Sequence, residues 1–183
     1  IIHTNSFKSA VLATLPARLT GTPLIYHARS SRAYSDHGAL DKYVCDSAAR
    51  IIANSEFTKS TFTPWNQKTT FIYNAIDTKM FCPDNVDSNT IRERHGLKID
   101  QPVIGTVGRL TPRKRQIDLV HAIPDIRRSY PEVQIFFVGG SYEGIGSEYE
   151  RRIQSTIHKL GVADSVIFTG YVDDVERYIS AFD

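Results

Sequence analysis

Three short runs of mainly apolar residues, each handing over to a stretch of helical period, constrain this chain more than any other feature. Residues 102–107 (PVIGTV), 133–138 (VQIFFV) and 165–170 (SVIFTG) are too short for helices and show no in–out alternation. Each reads as a strand buried on both faces. Between them, residues 116–129 read as a helix that Pro124 should kink. Ser147 and Glu150 form a capping-box pattern for a second helix, with Ile153, Ile157 and Leu160 on one face and Gly161 as its stop. A further helix begins near Asp173. Buried strands alternating with amphipathic helices specify an α/β fold, a parallel sheet covered on both faces.

The first part of the chain is less regular. Residues 8–20 carry Val11, Leu12, Leu15 and Leu19 at helical spacing, Pro16 should kink or break that helix, and Gly21 is placed to end it. Residues 23–27, 50–55 and 70–73 read as strands, the last closed by Asn74. Residues 30–46 are polar and lead from a loop into a helix, and Ser55 is placed as the N-cap of a helix over 56–62. From Asp77 to Gln101 apolar density falls and Asp, Asn and Pro rise, the composition of a connector. A boundary near residue 80 divides the chain into 1–80 and 81–183.

A formal net charge of +2 on 183 residues does not fit a whole-surface nucleic-acid binder. Cys45 and Cys82 make neither a disulfide framework nor a zinc pattern, and the sequence holds no Asn-x-Ser/Thr acceptor, which predicts a reducing, cytoplasmic setting. No apolar run approaches the ~20 residues that span a bilayer. The first residues, Ile1 and Ile2, read as the middle of a strand, and the last twelve as an unfinished helical pattern, so both ends look cut.

In open α/β sheets ligands bind where strands hand over to helices. The first such junction in the second part is GTVGRLTPRK, residues 105–114. Gly108 permits a tight turn, and the following helix N-terminus offers backbone N–H groups to an anion. Arg109 and Lys114 stand five apart across that turn, so both can converge on one diphosphate, the arginine as a fork and the lysine as a point charge. On spacing alone, Arg113-Lys114-Arg115 reads more readily as a solvated basic face than as a ligand site. The dinucleotide fingerprint GxGxxG and the phosphate loop GxxxxGK[ST] are both absent.

VGRLTPRK, preceded by YNAIDTKMF and followed by FFVGG and VIFTGYVDD, resembles the retaining family-4 glycosyltransferases in block order and spacing. IIHTNS and PLIYHARSSR resemble the later part of that family's acceptor domain. The resemblance implies a partial GT-B architecture: the end of an N-terminal acceptor-side Rossmann-like domain, then the first part of a C-terminal donor-binding one. It implies hexose transfer with retention from a nucleotide diphosphate-sugar to a glycan or lipid-linked acceptor, with no metal and no cofactor beyond the donor. Arg109, Lys114 and Gly108 would hold the donor diphosphate. Gly139 would open a loop close to the donor, and Tyr171 and Val172 would lie beside the base; ordinary strand-end packing explains those two equally well. His27 matches the family's cleft histidine near the donor sugar, Arg29 and Arg32 add positive potential or are plain surface charges, and His3 is structural. Ala75 and Arg115 stand where the family commonly has glycine. The family's glutamate pair and its first glycine-rich loop have no counterpart in these residues, so the chain alone is expected to be inactive and to self-associate. Peripheral contact with the inner face of a membrane goes with a lipid-linked acceptor. A non-catalytic nucleotide-sugar-binding module and a sugar-nucleotide epimerase of related fold are the alternatives.

Overall fold

The computed structural model describes residues 1–31, 38–82, 87, 89–141 and 147–183, residue 147 by its backbone alone. Arg32 and the Ser147 side chain therefore lie outside the described residues. The chain forms two compact units, Ile1–Ile76 and Asp77–Asp183.

The first unit is a four-stranded parallel sheet in the order β1 (Ile2–Thr4), β2 (Leu24–Ala28), β3 (Arg50–Ala53), β4 (Thr69–Phe71). One face of it carries a core in which Tyr26, Ala28 and Ile51 meet Ala10, Val44, Cys45 and Phe62 from the helices α1 (Phe7–Thr20) and α2 (Ala39–Ser47) and the segment after α3 (Glu56–Ser60). Ser55 caps α3 by accepting from Thr58 N–H, and Gly21 ends α1 with φ +63°.

Two expectations for α1 fail. The helix runs through Pro16 unbroken, because Pro16 lies on the exposed side, where water can take the Leu12 carbonyl that the missing N–H would have served. The leucine stripe is also not the buried face. Leu12, Leu15 and Leu19 are 77%, 56% and 78% exposed, while Ala10, Thr14 and Ala17 are buried. Two alanines let the helix approach the sheet closely, and the Thr14 hydroxyl is satisfied by the Ala10 carbonyl at 2.7 Å. Small residues chose the face.

The second unit is a three-stranded parallel sheet, β5 (Val103–Val107), β6 (Gln134–Val138), β7 (Val166–Gly170), with β6 central and buried throughout. Both faces are covered. Ile135 and Phe137 pack with Val120 and Ile123 of α5 (Gln116–Ser129) and with Tyr149, Ile153 and Ile157 of α6 (Ser147–Leu160). On the other side Val103, Phe136 and Val138 meet Ile91 of α4 (Asn89–Arg94) and Tyr178 of α7 (Val175–Ser180). A methyl group on Gly105 would fall on the Phe182 ring, so this strand glycine makes room for the chain after α7.

Helix α5 also passes through its proline, Pro124. Val120 and Ile123, both fully buried against the sheet, hold it together, so tertiary packing outweighs a local cost of about 3 kcal/mol. The capping-box carboxylate Glu150 accepts from Ser141 Oγ at 2.6 Å, and Leu160 sits at the half-exposed end of a buried face that begins at Tyr149. The polar stretch 77–101 is not only a connector: it carries α4. Its Arg92 guanidinium is buried and donates to the carbonyls of Lys98, Gln101 and Ala181 and to Asp183 Oδ2. Among the described residues no helix is long and apolar enough to cross a membrane.

Candidate functional site: the carboxyl edges of the two sheets

In the second unit the three strand ends are stitched together by glycines. Gly108, at φ +144°, donates its N–H to the Val138 carbonyl at 2.8 Å, and Gly139, at φ +119°, donates to the Gly170 carbonyl at 2.8 Å. Gly139 backs onto Gly108 so closely that a methyl group would collide with the Gly108 carbonyl. Only glycine fits there. Leu110 N–H donates to the Gly140 carbonyl at 3.2 Å, which ties the first loop to the second.

Lys114 ends a short 3-10 turn, Pro112–Lys114, that folds back over the strand end. Its stem passes across Gly108: Cε lies 3.7 Å from where a methyl on that glycine would stand. Arg109 is exposed, and its carbonyl accepts from Gln116 Nε2 at 2.9 Å. The turn thus brings Arg109, Gly108 and Lys114 together on one edge, with bare backbone beneath the lysine. Tyr171 lies over Gly140, its Cε2 3.2 Å from the position a methyl would take. Val172 instead packs partly buried against the α4–α7 face.

The start of α5 differs from expectation. Its amides are largely engaged within the protein: Ile117 N–H donates to the Tyr149 hydroxyl at 3.1 Å and Asp118 N–H to the Arg115 carbonyl at 2.9 Å. The groups this edge leaves toward solvent are therefore chiefly the exposed side chains of Arg109 and Lys114. Arg115 begins the helix at φ +55°, alone among described non-glycine residues in having positive φ. That conformation explains why glycine suits this position, and the side chain is tethered by a 2.6 Å pair from Nε to Asp118 Oδ2.

In the first unit His27 stands near the end of β2, stacked on His3 of β1 with ring centroids 5.7 Å apart and planes 12° from parallel. His3 is thus part of the histidine's environment. Burial first, then the positive potential of Arg29 and His3, holds the His27 imidazole below the ordinary histidine range, which keeps it neutral at pH 7. Arg29 donates from Nη2 to Asn74 Oδ1 at 3.2 Å, and Asn54 donates to the Arg29 carbonyl at 3.1 Å. The ends of β2, β3 and β4 so meet in one polar network. Sequence reading missed Gln116, Tyr149, Asn54 and the role of Asn74; position after a strand end was the available signal for the two asparagines, and none marked Gln116.

A sheet covered on both faces, with glycine-lined loops and two cations gathered at its carboxyl edge, defines the doubly wound α/β class. The chain belongs to the glycosyl transferases group 1 family, whose profile matches residues 87–183. Residues 1–80 match the profile described as Glycosyltransferase Family 4. A GDP-mannose-dependent alpha-(1-6)-phosphatidylinositol monomannoside mannosyltransferase of Mycolicibacterium smegmatis is 39% identical over 94 residues, 51% of this chain and 23% of that protein. A D-inositol 3-phosphate glycosyltransferase of Mycobacteroides abscessus is 25% identical over 185 residues, 92% of this chain and 40% of its own. The Anabaena protein HepE, solved with UDP-glucose, superposes with a TM-score of 0.83 at 24% identity, over 100% of this chain and 51% of that one. The chain thus spans about half the length of its solved neighbour and less of the curated relatives. The expected Rossmann-like, GT-B type of fold is the one found.

Proposed function

We propose that this chain is the donor-diphosphate-binding part, with a portion of the acceptor side, of a glycosyltransferase that uses a nucleotide diphosphate-sugar. The observation that carries the reading is the Lys114 stem laid across Gly108 beside Arg109, at an edge where Gly139 leaves the backbone bare. Breaking the anomeric bond puts negative charge on the departing diphosphate. Two fixed cations stabilise that charge without a metal. The sugar becomes oxocarbenium-like, and attack by an acceptor hydroxyl oxygen on the face the diphosphate leaves, its proton passing to the departing diphosphate oxygen, gives transfer of a hexose with retention. Tyr171 flanks the base, whereas Val172 is packed into the α4–α7 face, and the neutral His27 imidazole is offered as a hydrogen-bond partner for a sugar hydroxyl. A relative named for phosphatidylinositol monomannoside supports a lipid-linked acceptor, with peripheral membrane contact, and one named for D-inositol 3-phosphate supports a polyol acceptor; a glycan acceptor belongs to the same reading.

The test has two parts. Calorimetric titration of this chain with UDP, GDP and ADP should detect weak binding, and a turnover assay with the corresponding sugar donors should detect none. The full-length gene product, screened with the same donors, should release a glycosylated acceptor with the donor's anomeric configuration. Transfer by the 183 residues alone would sink the proposed division of labour.

A further inference from the structure

Two nearly buried side chains sit behind the cationic edge and have no role in the reading above. Gln116 and Tyr149 are 3% and 7% exposed. Gln116 spends its amide donor on one atom, the Arg109 carbonyl at 2.9 Å, which closes the loop from Arg109 to the start of α5. Its Oε1 is buried with no hydrogen-bond partner among the described residues, so the side chain is oriented by that single bond and by packing. The Tyr149 hydroxyl accepts from Ile117 N–H at 3.1 Å, one residue further on. Its neighbour Glu150 accepts from Ser141 Oγ at 2.6 Å, in the loop that follows Gly139 and Gly140. One turn of α6 therefore holds both loops of the edge, the first through Ile117 and the second through Ser141. Within the first loop, Gln116 passes that constraint to Arg109.

We propose that Gln116 and Tyr149 are positioning residues, which fix the Arg109–Lys114 segment for a nucleoside diphosphate while touching no part of it; this rests on the donor-diphosphate reading above. Arg109 and Lys114 are long, exposed side chains, so where they reach depends on where their backbone is held. The brace supplies that restraint from within the core.

The experiment measures UDP and GDP binding to this chain by calorimetry, with melting temperature recorded for every variant. Gln116→Met keeps the volume and removes the donor; Tyr149→Phe keeps the ring and removes the acceptor. Each should weaken binding about three- to tenfold, the worth of one net hydrogen bond. Ile157→Val, in the same apolar cluster, should lower the melting temperature comparably and leave the dissociation constant unchanged. In an Arg109→Ala background Gln116→Met should weaken binding less than it does in the parent, because only the Lys114 part of its route to the ligand remains. Unchanged binding in both single variants, or losses that add fully in the Arg109→Ala background, would overturn the proposal while leaving the functional reading intact. A parent chain that binds neither nucleotide would overturn that reading, and the brace's role with it.

Discussion

At the scale of single residues, the site separates charges by what surrounds them. Arg109 and Arg128 are both exposed arginines, but Arg128 only pairs with Asp125 along one helix face at 2.8 Å. On the proposed function, Arg109→Ala in the full-length gene product should slow transfer on the order of 100-fold or more, about 2–4 kcal/mol of barrier, and Arg128→Ala should leave kcat near the parent value. Equal rates would place the diphosphate elsewhere. Arg115 offers a second test. Held at φ +55°, it should be replaced by glycine more comfortably than by alanine, with Arg115→Gly the more stable by about 1 kcal/mol in urea unfolding. For His27 the sign is that of a base whose folded pKa is depressed. Its contribution to stability is present above the unfolded value of 6.5 and is lost as pH falls through the lower folded value. Histidine NMR titration should show His27 losing its proton below pH 6.5. Arg29→Gln should raise that midpoint only part of the way, since burial is the larger cause.

Among the elements, α1 departs furthest from its own pattern. A helical stripe of leucines faces outward, and the alanine–threonine face lies on the sheet. Ala17→Leu should therefore destabilise the first unit by about 1–3 kcal/mol through overpacking, whereas Leu19→Ala should change stability by no more than about 0.5 kcal/mol. Thermal unfolding of the two variants checks this; the reverse order would mean that the leucines form the core. The prolines in α1 and α5 follow the same logic. A local rule predicts a kink or a break, and a helix whose neighbours are buried on a sheet continues through its proline.

For the whole molecule, the exposed leucines have a consequence for association. Leu12 and Leu40 line an apolar groove together with Phe7 and Val11, Leu15 and Leu19 are exposed on the same helix, and among the described residues the strands β1, β4, β5 and β7 each have one strand neighbour. Contiguous apolar surface and open strand edges drive self-association. Light scattering on the purified chain should show species larger than a monomer at micromolar concentration. Leu12→Ser with Leu19→Ser should shift the population toward monomer. A monodisperse parent would show that the two units are self-sufficient.

Much of the fold was legible in local chemistry. Runs of buried strand residues, glycine stops at Gly21 and Gly161, the Ser55 cap and the tight turn at Gly108 each depend on neighbours a few positions away in the chain. What required the tertiary structure depends on distant partners. Which face of α1 is buried follows from how closely a sheet can approach two alanines, not from where the leucines fall. That the Ile117 amide at the start of α5 serves Tyr149 follows from a hydroxyl 32 residues further along the chain. Gln116 carries no motif at all; it matters because burial removes water and leaves the Arg109 carbonyl as partner for its amide N–H. Period and turn chemistry are encoded residue by residue, whereas burial is settled only when separate elements compete for the same sheet face.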